Sequence, residues 1–189
     1  MSAISLASGA AGSRSFLANY MDGDPDNLEI NAARTVLILA HEQVHQLVGL
    51  LRPSGSPFPI WLGESLAHYY GLKALARGPL PRQIVSSVSD HFIDPTREVE
   101  AGLVDLCRHH LQGDPSAYPL FYTQGATFWS ELDSALKEAN LAGAGLDDVV
   151  PALLATSSAG CGLPTEFMAP LREKAGGAID EILTRYVGE

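Results

Sequence analysis

The run Val36-Leu37-Ile38-Leu39-Ala40 carries no polar side chain and leads without a break into His41-Glu42-Gln43-Val44-His45. The stretch is helix-compatible, and its apolar residues lie nearly all round, which predicts a deeply buried helix. Ionisable groups on such a helix must find partners inside the protein. Residues four apart share a helix face, so His41 and His45 can reach one metal ion. Neutral imidazole suits zinc, and two of them leave room for a third protein ligand and a water. Glu42 projects beside the pair, where its carboxylate can take a proton from that water. Taken alone, the five residues also fit an amphipathic helix with two interfacial histidines and a solvated Glu.

The surrounding chain reads as helical after a short extended start. Ala3 to Ser8 and Ser15 to Met21 suit two strands or a hairpin, with Gly9-Ala10-Ala11-Gly12 as the turn. Asp22-Gly23-Asp24-Pro25 is a break, and Asp24 with Pro25 suits the start of a helix reaching about Leu51. Arg52 to Pro59 holds three prolines, so it is a loop. A second helix is expected from Ile60 or Trp61 to Arg77, closed by Gly78-Pro79. Two helices joined by so short a loop pair antiparallel, which returns Glu64 toward His45. Further helices are expected at Pro81 to Ser89, Arg97 to Leu111, Ala117 to Asn140 and Leu146 to Ala155, the last shortened by Pro151. Thr165 is expected to cap a helix toward Lys174, and Ala178 to Tyr186 forms the final amphipathic segment.

Composition narrows the class of molecule. The chain has 189 residues, 46% of them hydrophobic and 18% charged, which suits a globular domain with a sizeable core and argues against disorder. The net charge of -10 disfavours nucleic acid and anionic membrane surfaces as partners. No apolar run is long enough to span a bilayer. Met1 to Gly12 lacks the basic region and long apolar core of a secretory signal. A cytoplasmic location is expected if Met1 is the native start, and an exported one if the chain is a piece of a larger precursor. Cys107 and Cys161 are compatible with one bridge or with two buried thiols, and the absence of a C-x-x-C pair leaves zinc to His and carboxylate ligands.

Glu64 follows His45 after eighteen residues. The pattern H-E-x-x-H, eighteen residues, then Glu resembles that of the gluzincin metallopeptidases. Trp61-Leu62-Gly63-Glu64-Ser65-Leu66-Ala67-His68-Tyr69-Tyr70 is similar to their second ligand helix, in particular to the W-x-x-E-G-x-x-x-Y-Y form of the glycyl aminopeptidase family. The wider aminopeptidase N superfamily is similar but less close. Tyr122-Thr123-Gln124-Gly125-Ala126 resembles the Y-x-K-G-A segment that opens a long helix in these families. The resemblance implies one Zn2+ held by His41, His45 and Glu64, with Glu42 as general base and Tyr122 stabilising the oxyanion. It implies a helical zincin-type (thermolysin-like) catalytic domain, so the expected fold is mainly α with a short N-terminal β-hairpin or strand remnant. That domain is expected to span residues 1–189, with 1–23 extended and 24–189 helical.

His68, four residues after Glu64, shares its helix face and is expected to support that carboxylate by a hydrogen bond. The expected activity is hydrolysis of a peptide or protein substrate, and the competing expectation is a zinc-holding module that binds a partner. Three departures from the family pattern stand out. Ser65 takes the place of a Gly, Gln124 takes the place of a Lys near the oxyanion tyrosine, and little chain precedes the zinc helix. The families carry a substrate-binding sheet upstream, of which Gly9 to Ser15 is the only counterpart.

Overall fold

The computed structural model describes residues 8–11, 16–19, 27–139, 143, 145–158 and 160–188, the first two stretches as backbone only. The architecture is mainly α. A hairpin of β1 (Ser8–Ala11) and β2 (Phe16–Asn19) pairs antiparallel, Ser8 opposite Asn19 and Ala11 opposite Phe16, and lies beside the first helix. Eight α-helices follow among the described residues: α1 (Leu28–Leu51), α2 (Ile60–Arg77), α3 (Arg82–Phe92), α4 (Leu103–Leu111), α5 (Tyr118–Ala139), α6 (Val150–Ala155), α7 (Thr165–Ala175) and α8 (Gly177–Tyr186). Of the expected first strand, Ala3 to Ser8, all but Ser8 lies outside the described residues, and Gly9, Ala10 and Ala11, expected as the turn, form strand β1. Pairing with β2 gives these small residues a backbone role that composition does not reveal. The expected start of α1 at Asp24-Pro25 lies outside the described residues.

Helix α2 sits between α1 and α5 and packs most closely on both. Trp61, Leu62 and Leu66 of α2 and Phe121, Phe128, Trp129 and Leu132 of α5 are fully enclosed in the main core, which α4, α7 and α8 complete. A smaller cluster of Ala33, Leu37, Leu72, Leu75, Val88 and Ala126 lies under α3. Gly71 lets α2 approach α1 closely, for a Cβ there would lie 3.1 Å from Leu37 Cδ1 and 3.3 Å from the His41 backbone nitrogen. Leu37 and His41 therefore face Gly71 while His45 faces Glu64, so the two helices run antiparallel.

The expectation of a deeply buried α1 needs correction. Leu28, Val36, Leu39, Leu47, Leu50 and Leu51 are exposed, Leu50 at 73%. Steps of three and four place Val36, Leu39, Gln43, Leu47 and Leu50 on one outer stripe. The partners of α1 cover its other sides, and apolar composition alone does not decide burial. The stripe borders an apolar cleft of about 540 Å³ between α1, α2 and α6, walled by Val44, Leu47, Val48, Leu51, Leu66 and Leu154.

Helix α4 starts at Leu103, six residues later than the Arg97 the sequence suggests. Gln124 explains the delay, because its side chain accepts from the Glu100 backbone N–H (3.3 Å) and donates to the Ala101 carbonyl (2.6 Å). Those groups are then unavailable to a helix. Gly102 also packs so closely on the Val187 carbonyl that a Cβ would lie 2.6 Å from it. Thr165 is the first residue of α7, not its cap, and Pro164 precedes it. Cys107 and Cys161 are joined in a disulfide that ties α4 to the segment between α6 and α7, and the Trp61 indole donates to the Cys161 carbonyl at 2.7 Å.

Asp133, 3% exposed on α5, ties that helix to α2 and to the turn before α6. It accepts from the Tyr69 hydroxyl, from Lys137 Nζ (2.7 Å) and from the Leu146 N–H (2.7 Å). Burial works against its charged form, but these hydrogen bonds outweigh it and hold the carboxyl below its ordinary range. A carboxylate whose pKa falls on folding adds stability above its unfolded pKa, about 3.9, and loses it as pH falls through the folded value. Asp133→Ala is expected to cost about 3–5 kcal/mol at neutral pH, as for a broken buried ion pair. Urea unfolding from pH 7 down to 2 checks this: the gap between parent and variant should narrow toward the acid end.

Candidate metal centre

Four residues apart on helix α1, His41 and His45 project to the same side, His41 buried and His45 partly so. Glu64 enters from the second turn of α2, because the loop after Arg52 folds the chain straight back. Three guanidinium hydrogen bonds hold that loop, from Arg52 to the carbonyls of Thr156 (3.0 Å), Ser56 (3.2 Å) and Pro57 (2.9 Å). The three side chains then meet. His41 Nε2 lies 2.9 Å from His45 Nε2, and Glu64 Oε2 lies 3.3 Å from the first and 3.5 Å from the second.

These edges fit a metal ion. Four ligands at zinc bond lengths of about 2.0–2.1 Å in a tetrahedron stand about 3.3–3.4 Å apart. The three observed edges bracket that value, and two imidazole nitrogens with one carboxylate oxygen form a suitable donor set. The arrangement also crowds two imidazole nitrogens and a carboxylate oxygen on one another, and which nitrogens donate is set by the tautomers. Such a cluster is hard to satisfy by protein groups alone.

Two further groups lie beside the cluster. Glu42 is 5% exposed. Burial raises its pKa; the charges of His41 and His45 oppose this and the charge of Glu64 adds to it. Tyr122, in the second turn of α5, donates its hydroxyl to Glu64 Oε2 at 3.1 Å. Its pKa is pushed well up, by burial first and then by the Glu64 charge, so the phenol keeps its proton and can donate it in a hydrogen bond. Burial opposes ionisation of Glu64, yet the hydrogen bonds of His41 and His45 hold its carboxyl far below the ordinary range. The same carboxylate outweighs the burial of His45 and raises that imidazole's pKa.

His68 reaches the site but not in the expected way. Among the described residues no hydrogen bond joins it to Glu64, whose Oε2 takes the Tyr122 hydroxyl instead. The His68 ring packs edge-on against Phe92 of α3, with centroids 4.2 Å apart, and stands 5.6 Å from His41 and 5.1 Å from Tyr122. Burial, and then the charge of His41, bring its pKa down to about 3, so the ring is neutral.

Tyr118 was not singled out by motif, yet its phenol stands near Tyr122, with ring centroids 5.4 Å apart, and feels Glu64. The available signal was the four-residue spacing from Tyr118 to Tyr122, which puts both phenols on one face of α5. Gln124 makes its two hydrogen bonds to the backbone at 100–101. The side chain at the lysine position of the family pattern is thus a clamp on the chain before α4.

No family model, no curated protein and no solved structure matches this chain. Among the described residues no helix is long and apolar enough to cross a membrane.

Proposed function

We propose that this chain is a zinc-dependent metallopeptidase of the gluzincin kind, with His41, His45 and Glu64 as ligands. The observation that carries the reading is the convergence of those three ligand atoms at 2.9–3.5 Å. Glu42 and Tyr122 flank that cluster as a base and a hydrogen-bond donor. Zinc, when bound, supplies Lewis acidity. Glu42 takes a proton from the attacking water on one carboxylate oxygen and returns it to the leaving amine nitrogen. The Tyr122 hydroxyl turns from Glu64 to the substrate oxygen on which charge develops, and as a preserved phenol it donates without losing its proton.

Metal content is the direct test. The purified chain should carry about one zinc per molecule, because the His-His-Glu set is a complete protein share of a four-ligand site. His41→Ala should carry almost none. A parent chain without stoichiometric zinc, even after incubation with the metal, ends this reading.

The outer stripe of α1 favours a second reading, a zinc-holding module that binds a partner through this exposed apolar face. A parent chain that holds zinc but leaves a peptide library intact supports it. The buried Cys107–Cys161 disulfide supports an oxidising compartment, and so an exported protein, under either reading.

A further inference from the structure

Among the described residues, two ring nitrogens at the centre are buried without a hydrogen-bond partner, His41 Nδ1 and His68 Nε2. They belong to rings whose centroids lie 5.6 Å apart at an angle of 66°. A buried polar atom left unpaired is costly, so two on adjoining rings call for a common explanation. The chemistry of His41 supplies one. An imidazole that gives Nε2 to a metal carries its proton on Nδ1, so its free side is a donor. Ligand histidines almost always pass that proton to an acceptor, most often a carboxylate or a backbone carbonyl. None is paired with Nδ1 here. His68 is buried, and its Nε2, unpaired among the described residues, is available as an acceptor.

We propose that His68 Nε2 accepts the Nδ1–H of His41 in the metal-loaded protein, directly after a small ring rotation or through one water, which makes His68 a positioning residue for the first ligand. The proposal rests on the reading of His41 as a ligand. It also gives α2 a double task. Glu64 supplies a ligand, and one turn later on the same face His68 orients another. Phe92 packs on the His68 ring edge-on and restricts its rotation.

His68→Leu and His68→Gln separate this role from packing. Zinc affinity, read by competition with a chelator, should fall about 10–100-fold in His68→Leu, the usual loss for a removed outer partner of a ligand. His68→Gln retains a carbonyl acceptor and should recover most of it. The metal-free His68→Leu protein should melt no lower than the parent, because the change removes an unpaired polar nitrogen from a buried place. Equal zinc affinity in parent and His68→Leu overturns the proposal, as does an equal loss in both variants. Should His68→Leu fail to fold, His68→Gln still decides when set beside 15N-histidine NMR of the zinc-loaded parent. A slowly exchanging His41 Nδ1–H supports the proposal, and a rapidly exchanging one overturns it. A parent that binds no zinc removes the ligand reading itself, whereas a parent that binds and a variant that binds equally removes only the role of His68.

Discussion

Glu42→Gln is expected to lower kcat/KM for peptide hydrolysis by about 10²–10⁴-fold, the share of a positioned general base, while leaving bound zinc and the fold in place. The amide has nearly the size of the carboxylate and cannot accept a proton from water. The fold should tolerate it well. Burial raises the pKa of Glu42, and a carboxyl whose pKa rises on folding weakens the protein at pH above its unfolded value. The neutral amide removes that cost, so the metal-free variant should melt at or above the parent temperature at pH 7. Zinc content, melting temperature and turnover together form the test. A variant that keeps zinc and still hydrolyses peptide at the parent rate excludes Glu42 as the base. A parent that holds zinc without measurable turnover moves the weight to the partner-binding reading.

Much of the centre is legible from spacing because helices convert spacing into direction. The four-residue step from His41 to His45 and the short loop before Ile60 are both local facts, and together they bring Glu64 to His41 and His45. Sequence falls short where a side chain answers to a segment distant in the chain. Gln124 sits two residues after Tyr122, and the resemblance around it suggests a group beside that tyrosine, yet the backbone at 100–101 claims it. His68 shares a face with Glu64 but turns to His41, Tyr122 and Phe92, since Tyr122 already occupies the Glu64 oxygen. The outer stripe of α1 was invisible for a related reason. A run of apolar residues states that burial is favourable, and only the positions of α2, α3 and α6 decide which side receives it.

The second large effect is expected at a position that bears no functional group. Helices α2 and α5 cross where Gly125 meets Ser65, and a Cβ on Gly125 would overlap the Ser65 Cβ and lie 3.3 Å from its Oγ. Ser65 has no free movement to offer, because its Oγ accepts from the Trp129 indole at 2.8 Å inside the core. Gly125→Ala must therefore push α5 outward one turn from Tyr122. Overpacking of this kind costs about 1–3 kcal/mol, partly offset by roughly 1 kcal/mol from the better helix propensity of Ala. The functional loss should be larger than the stability loss. Tyr122 reaches Glu64 at 3.1 Å only through this close crossing, and a displacement near 1 Å at a reacting centre can cost about 100-fold. His41, His45 and Glu64 lie on α1 and α2, so zinc binding should hardly change while hydrolysis falls. The double change Ser65→Gly with Gly125→Ala relieves the overlap and should regain much of the lost activity, despite the unpaired Trp129 N–H it creates. Such non-additivity is the mark of direct contact. If Gly125→Ala instead matches the parent in turnover and melting, the crossing of α2 and α5 does not set the position of Tyr122.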